Sequence, residues 1–210
     1  MEQGTEGWLI ERAGKVTASR FKDVMAKIKT GEAATRRNYR MQIVTERLTG
    51  LPTESYKNAA MEWGTANEPL AREVYEAVQG VKVEQHGLLN HLTVDAACSP
   101  DGIIGTDGGI EIKCPFNSMV HVETILSGMP SEHIAQVQGA MWITGRKWWD
   151  FVSFDPRLPE NMRIYIQRID RDDAYIDNLE VEIMKFLADI SELEAKLTGG
   201  DRVFYLKEEA

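Results

Sequence analysis

The stretch Ser99–Cys114, "SPDGIIGTDGGIEIKC", contains the pattern that decides the fold. Its last five residues alternate between apolar and polar side chains, which is the period of a β-strand. The glycine-rich "GTDGG" before them is typical of a hairpin turn. We therefore predict a hairpin that brings Asp101 back beside the strand whose polar face carries Glu111 and Lys113.

Two carboxylates at this separation repel each other unless a cation lies beside them. That cation could be Lys113, a divalent metal ion, or both. Carboxylate oxygens without thiolate or imidazole ligands suit Mg²⁺ or Mn²⁺. In that case Lys113 could orient an attacking water or stabilise charge on a phosphate. A surface hairpin with a structural ion pair has the same spacing, so the spacing alone leaves both interpretations open.

Glu68 and Gln136 are polar residues on stripes that are otherwise apolar. Glu68 lies on the inward stripe of a predicted helix, where a carboxylate is costly unless it is paired or binds a metal. Its place near the N-terminus of that helix offers a second explanation, because the helix dipole favours a carboxylate there. Gln136 shares a helical stripe with Ala140 and Ile143, and an inward amide more often satisfies core polar groups than it contacts substrate.

Composition narrows the class of protein. The chain has 210 residues, of which 43% are hydrophobic, and this predicts a single domain over residues 1–210. No apolar run is long enough to span a membrane, and the N-terminus lacks the apolar core of a signal peptide. The chain has only two cysteines, which argues against a disulfide scaffold. Its histidines lack the spacing of metal ligands, which argues against a zinc site. These features predict a cytoplasmic protein. The net charge of −9 argues against a broadly basic nucleic-acid binder but allows a local basic channel.

Hydrophobic periodicity and turn residues predict a mixed α/β (α+β) fold, with a central mixed β-sheet flanked by N-terminal helices and a long C-terminal helix. Glycines 199 and 200 are predicted to end that last helix, and Gly50 and Pro52 are predicted to stop the helix that begins at Tyr39. The predicted helices cover residues 17–28, 39–48, 61–78, 121–126, 133–143 and 172–197. The predicted strands cover residues 81–89, 94–100, 109–114, 148–156 and 163–170. Residues 29–38 are predicted to form a basic loop.

Four ordered motifs over most of the chain resemble the lambda exonuclease family of phage recombination nucleases, also called YqaJ-like viral recombinases, in the PD-(D/E)xK nuclease superfamily. The motifs are "QGTEGWLIERAGKVTAS", "WGTANEPLARE", "SPDG…GIEIKCPF" and "AQVQGAMWITGRKWWDFVSFDP". The resemblance implies a core like that of restriction endonucleases.

The resemblance also implies roles for individual residues. It implies a two-metal site for Mg²⁺, with Mn²⁺ as a substitute, whose ligands are Asp101, Glu111, Glu68 and the backbone carbonyl of Ile112. Lys113 is the implied catalytic lysine near the attacking water and acts together with the three carboxylates. Four further matches imply a pocket for the terminal 5′-phosphate: Arg12, Ser19, Ser99 and Gln136. Trp8 marks the first motif and is expected to serve in packing.

The implied activity is a Mg²⁺-dependent 5′→3′ exonuclease on double-stranded DNA that releases mononucleotides. The 3′ single strands left behind would serve phage-type recombination by strand annealing, so the implied partners are double-stranded DNA ends and a single-strand annealing protein. The family implies a toroidal homotrimer, encoded by a phage or prophage and acting in the bacterial cytoplasm. Two alternatives stay open: a related nuclease that acts on single strands or cuts internally, and a non-catalytic DNA-binding or assembly module on the same fold. From charge alone, the arginines of the basic stretch between Lys29 and Arg40 are predicted to lie along the DNA path.

Overall fold

Seven α-helices and seven β-strands form most of the regular structure of residues 3–53 and 58–199, which are the residues that this computed structural model describes. The helices are α1 (Glu6–Arg12), α2 (Phe21–Val24), α3 (Ala34–Thr49), α4 (Ala59–Gln79), α5 (Ser118–Ser127), α6 (Ile134–Thr144) and α7 (Asp173–Thr198). The strands are β1 (Val16–Thr17), β2 (Leu89–Asn90), β3 (Ala96–Cys98), β4 (Gly102–Ile104), β5 (Gly108–Lys113), β6 (Trp148–Phe154) and β7 (Ile164–Asp170). None of the described helices is long and apolar enough to cross a bilayer.

The strands form two mixed sheets, so the predicted fold class is confirmed, with two sheets in place of a single central one. The smaller sheet has the order β1-β3-β2, with β1 parallel and β2 antiparallel to β3. The larger sheet has the order β4-β5-β6-β7. Its middle pair, β5 and β6, is parallel because α5 and α6 carry the chain across between them, whereas the outer pairs are antiparallel.

The predicted hairpin is confirmed. β4 pairs antiparallel with β5 in a register that joins Gly102 to Ile110. Two glycines at the start of β5 let this strand lie close to its neighbour: a Cβ on Gly108 would come within 2.1 Å of the Trp148 ring, and one on Gly109 within 2.4 Å of the Trp149 ring. The "DGG" sequence is therefore needed for close packing as well as for the turn.

Two apolar clusters hold the layers together. The larger one packs α2, α3, α6 and α7 against the smaller sheet and includes Phe21, Tyr39 and Phe186. The smaller one packs α4 against the larger sheet around Tyr75 and Ile110. Because α4 lies directly on β5, the polar residues of these two elements meet at one end of the smaller cluster.

The prediction of one helix over residues 17–28 is wrong. Thr17 lies in β1 opposite Ala97, and its main-chain N–H donates to the Tyr39 hydroxyl at 2.9 Å. Its side chain makes no capping hydrogen bond to the turn that follows. A 3₁₀ turn follows, and α2 is only four residues long. Ile28, the last residue of the predicted helix, is 55% exposed, so burial of its side chain contributes little to stabilise further helical turns.

Other boundaries also differ. α3 begins at Ala34, so much of the predicted basic loop is helical, and α3 ends as predicted at Gly50 with a left-handed conformation. The predicted strand over residues 81–89 reduces to β2 and a single bridge between Glu84 and Ile103. Gly199 follows the end of α7 as predicted, whereas Gly200 lies outside the described residues. The single-domain organisation over residues 1–210 stays a prediction.

Candidate active site

The centre of the site is an ion pair on β5. Lys113 Nζ lies 2.5 Å from Glu111 Oε1, and the Gln136 amide of α6 donates to the same oxygen at 2.6 Å. The Glu111 side chain is only 5% exposed, whereas that of Lys113 is 33% exposed. Gln136 therefore satisfies a buried carboxylate of the site, as expected of an inward-facing amide, and its contact with a 5′-phosphate stays a prediction.

Asp101 reaches the same strand from the start of β4. Its Oδ2 accepts a hydrogen bond from the Ile112 N–H at 2.6 Å, between Glu111 and Lys113. Burial raises the pKa of Asp101 well above its usual range, and the charges of Glu111 and Glu68 raise it further. The carboxylates of Asp101, Glu111 and Glu68 are thus close enough to repel one another. This proximity agrees with the predicted hairpin and with the predicted inward position of Glu68.

Glu68 lies on α4 and is held there by an arginine one turn later. Arg72 Nη2 lies 2.5 Å from Glu68 Oε1, and Arg72 Nε donates to the backbone carbonyl of Asp101 at 3.1 Å. Burial raises the pKa of Glu68, with Arg72 opposing the shift and Glu111 adding to it. Glu68 is the tenth of the 21 residues of α4, well beyond the first turn, so the explanation by the helix dipole is wrong. Its carboxylate instead shares an electrostatic environment with Glu111.

Lys113 is the second cation of the site. Burial by itself would lower its pKa, but the charges of Glu111 and Asp101 and the hydrogen bond to Glu111 outweigh burial and raise that pKa. Lys113 and Arg72 together provide two positive charges against the three carboxylates of Asp101, Glu111 and Glu68. The third carboxylate is uncompensated, and its charge is removed either by protonation, which the raised pKa of Asp101 favours, or by a further cation.

The donor chemistry of the site fits a hard divalent cation, since all the predicted ligand atoms are oxygens. Within the described residues, no group of three or more His, Cys, Asp or Glu side chains is arranged to hold a metal ion. The predicted carboxylates instead accept from Lys113, Arg72 and the Ile112 N–H. The ligand roles of Asp101, Glu111 and Glu68, and of the Ile112 carbonyl, stay predictions.

The predicted phosphate-binding residues form a second group on the N-terminal segment. Arg12 at the end of α1 donates to Thr17 Oγ1 at 2.9 Å, and that hydroxyl lies 3.5 Å from Ser19 Oγ. Ser19 is exposed and Arg12 is half-buried. Arg20 stacks on the Tyr39 ring, with its guanidinium carbon 4.3 Å from the ring centroid. The N-terminal segment therefore carries two guanidinium groups beside an exposed serine hydroxyl.

Trp8 connects this group to the hairpin. Its indole N–H donates to Ser99 Oγ at 3.0 Å, and Arg12 lies 5.3 Å above its ring. Ser99 is two residues before Asp101, so one short segment belongs to both groups. Of the four predicted phosphate ligands, Arg12, Ser19 and Ser99 belong to this N-terminal network, whereas Gln136 bonds to Glu111 in the carboxylate cluster. The interpretation of Trp8 as packing alone is incomplete, because its N–H has a specific partner.

Two arginines of the predicted basic stretch, Arg36 and Arg40, form ion pairs with acidic side chains of the same chain, whereas the role predicted for Lys29 and Arg37 stays a prediction. Arg36 donates to Glu32 and Asp189, at 2.8 Å and 3.1 Å, and packs over the Phe186 ring. Arg40 pairs with Glu32 at 2.9 Å. These pairs fasten α3 and the loop before it to α7, so the charge-based assignment of Arg36 and Arg40 to the DNA path is not supported by their contacts.

The histidines have separate partners. The pairs are His86 with Glu84, His91 with Trp142, His121 with Ser153 and Met162, and His133 with Phe151. His133 stacks on its partner ring near the site, where burial and the charge of Lys113 lower its pKa to about 4. It is therefore neutral at ordinary pH.

A family model described as the YqaJ-like viral recombinase domain matches residues 7–147 of the chain. The chain belongs to this family. The matched range contains every predicted site residue, from Arg12 to Gln136. Family membership thus covers both the carboxylate cluster and the N-terminal network.

Solved structures agree with this assignment. The chain is 46% identical to the alkaline exonuclease LHK-Exo from Laribacter hongkongensis, with a TM-score of 0.86 over 93% of this chain and 97% of that one. A structure of LHK-Exo in complex with dAMP is similar at 47% identity, with the same TM-score and coverage. A phage-related exonuclease from Haemophilus somnus 129PT shares the fold at 16% identity, with a TM-score of 0.67 over 88% of this chain and 96% of that one.

Among curated proteins, the uncharacterised Escherichia coli K12 protein ExoD is 30% identical over 67 residues, which are 32% of this chain and 76% of ExoD. Together with the family membership, the similarity to LHK-Exo supports a nuclease role, and the cluster around Glu111 is where the chain has groups suited to one.

The structure adds four residues to the predicted site: Thr17, Trp8, Arg72 and Gln85. The Gln85 amide, in the orientation that satisfies both of its polar atoms, accepts from Arg72 Nη1 at 2.8 Å. Trp8 and Arg72 lie inside sequence motifs in which other residues were predicted to bind metal or phosphate. Arg72 follows Glu68 by four positions, and this i,i+4 spacing was the available signal for an ion pair. Thr17 and Gln85 had no such signal, because their contacts depend on how separate segments meet.

Proposed function

We propose that the chain is a divalent-metal-dependent exonuclease that degrades double-stranded DNA in the 5′→3′ direction and leaves 3′ single strands for annealing. The observation that carries the proposal is the convergence of Asp101, from the start of β4, and Glu68, from α4, on Glu111 and Lys113 of β5, in a member of the YqaJ-like family. Such a cluster is costly to a fold that does not use it.

A phosphodiester is an anion that repels a nucleophile, so its hydrolysis needs charge neutralisation and an activated water. Mg²⁺ or Mn²⁺, held by Asp101, Glu111, Glu68 and the Ile112 carbonyl, would supply both. Lys113 is one-third exposed, so its ammonium can contact the water or the scissile phosphate while Glu111 anchors it. Gln136 fixes the Glu111 carboxylate at 2.6 Å and thereby fixes the lysine as well.

The N-terminal network is proposed to bind the terminal 5′-phosphate. Arg12 provides a guanidinium that can bind two phosphate oxygens, and the Ser19 and Ser99 hydroxyls can donate to the others. Trp8 holds Ser99 in place through its N–H. Because Ser99 is two residues from Asp101, the bound end would lie close to the carboxylate cluster, which favours cutting near a terminus over cutting internally.

Release of mononucleotides is part of the proposal. The similar protein LHK-Exo has been solved with dAMP, a deoxynucleoside monophosphate. The same class of compound is the product expected here. A toroidal homotrimer around the duplex would reconcile a chain of net charge −9 with DNA, because basic groups would line the channel while acidic groups face the solvent.

A digestion assay tests the function. Linear duplexes with a 5′-phosphate or a 5′-hydroxyl are incubated with the protein in Mg²⁺, in Mn²⁺ and in EDTA. We expect mononucleotides from the phosphorylated ends, slower release from the hydroxyl ends and none in EDTA. Metal-independent release, or indifference to the 5′ group, would contradict the proposal.

Three companion measurements test the alternative functions and the assembly. Covalently closed circular duplex should stay intact, whereas an internally cutting nuclease would nick it. Binding to DNA without any nucleotide release in Mg²⁺ or Mn²⁺ would indicate a non-catalytic module. The molar mass in solution, measured by light scattering, should correspond to three chains if the protein forms a trimer.

A further inference from the structure

Arg72 is the most completely bonded cation beside the carboxylate cluster, and the proposed chemistry gives it no role. Its side chain is only 11% exposed. In the sequence, Arg72 lies in the motif "WGTANEPLARE", four residues after Glu68. A buried guanidinium is costly unless all its donors are used. Its partners therefore indicate what it is for.

Every nitrogen of Arg72 has a partner from a different part of the chain. Nη2 bonds to Glu68 Oε1 at 2.5 Å, and Nε donates to the Asp101 backbone carbonyl at 3.1 Å. In the amide orientation that satisfies both of its polar atoms, Gln85 accepts from Nη1 at 2.8 Å and from Nη2 at 3.2 Å. One rigid planar group thus connects α4, the start of β4 and the segment before β2.

This arrangement fixes the distance between two of the predicted metal ligands. Arg72 uses only Oε1 of Glu68, so Oε2 stays available to another cation. It holds Asp101 through the main chain, so both carboxylate oxygens of Asp101 are left to other partners. Lysine cannot reproduce this, because its single nitrogen lacks the planar fork that bonds three acceptors at once.

We propose that Arg72 is a positioning residue that holds Glu68 and Asp101 at the separation needed to bind a divalent metal ion together, with Gln85 fixing the guanidinium from behind. The inference rests on the proposed function, since it concerns the same metal. Groups that orient metal ligands in this way typically change metal affinity by about 10–100-fold when they are removed.

The test measures Mn²⁺ binding directly, from the electron paramagnetic resonance signal of free Mn²⁺, with no substrate present. The variants are Arg72→Lys, which keeps the charge, and Arg72→Gln, which removes it. Arg171→Lys and Arg171→Gln are matched controls, because Arg171 also bonds to a carboxylate, that of Asp173, and to a main-chain carbonyl, that of Met141. Urea unfolding of every variant identifies the folded ones, and Arg72→Lys decides the question if Arg72→Gln does not fold.

We expect both Arg72 variants to bind Mn²⁺ about tenfold or more weakly, the Arg171 variants to bind like the wild type, and Glu68→Gln to reproduce the loss. Wild-type affinity in the Arg72 variants would overturn the inference and leave the proposed function standing. Tighter Mn²⁺ binding by Arg72→Gln, with unchanged binding by Arg72→Lys, would also overturn the inference. In that case the only effect of Arg72 on the metal ion would be the repulsion between their positive charges. Absence of Mn²⁺ binding by the wild-type protein would refute the proposed metal site and this inference together.

Discussion

The substitution Lys113→Met tests the charge balance of the site. It removes the cation 2.5 Å from Glu111 and leaves that carboxylate, which is 5% exposed, with the Gln136 amide as its remaining side-chain donor. Breaking a buried ion pair by removing one partner costs about 3–5 kcal/mol. We expect a loss of about 3 kcal/mol in the free energy of unfolding, since Gln136 still donates. For a chain of this size that corresponds to a decrease in Tm of about 6–12 °C.

The converse substitution, Glu111→Gln, is the matched comparison. It leaves Lys113 without its carboxylate, but the lysine side chain is 33% exposed and can keep its ammonium hydrated. We therefore expect a smaller loss, about 1 kcal/mol. The double variant should be more stable than the sum of the two single losses predicts, because it leaves neither charge unpaired.

Thermal unfolding in EDTA and in Mg²⁺, together with the digestion assay, checks these values. Both single variants should release mononucleotides at least about 100-fold more slowly than the wild type. Mg²⁺ should restore part of the stability that Lys113→Met loses, since a bound cation would neutralise Glu111. Wild-type stability of Lys113→Met in EDTA would refute the charge argument, and a wild-type digestion rate would refute the assignment of Lys113 as catalytic.

Three further predictions concern other parts of the molecule. Trp8→Phe keeps an aromatic ring, a smaller one, but loses the N–H. KM for 5′-phosphorylated ends should therefore rise about fivefold, for a hydrogen bond of about 1 kcal/mol, and stay unchanged for 5′-hydroxyl ends. Gly109→Ala places a Cβ 2.4 Å from a tryptophan ring and should lower the free energy of urea unfolding by about 1–3 kcal/mol, whereas Gly64→Ala, with open space around it, should raise it by about 0.5–1 kcal/mol. Hydrogen bonds from Arg157 lower the pKa of Asp155 to about 2 from the usual 3.8. The folded pKa lies below the unfolded one, so Asp155 stabilises the fold above about pH 4, and this contribution disappears as the pH falls toward 2. Asp155→Asn should flatten the dependence of unfolding on pH in that range, and an unchanged slope would contradict the assignment.

Local sequence patterns were sufficient where one short segment carries the information. The alternation after "GTDGG" predicted β5 and its hairpin, and the long apolar stripe predicted α7 almost to the residue. Gly50 marked the end of α3 because its left-handed conformation strongly favours glycine. The same local logic failed over residues 17–28, where Thr17 pairs with β3 instead of capping a helix, a choice that depends on a strand about 80 residues away.

The sequence by itself determined the kind of chemistry: the order of the motifs assigned the chain to its family, and the acids and the lysine of the hairpin indicated an oxygen-rich site with a cation beside it. Only the tertiary structure decided which groups meet. It placed the Gln136 amide on Glu111 and the Trp8 N–H on Ser99. It also paired Arg36 with Asp189 of α7, and both Arg36 and Arg40 with Glu32. It also placed Arg72 between Glu68 and Asp101. These contacts join residues distant in sequence, and their energies depend on burial and on the direction of each donor, which no spacing along the chain specifies.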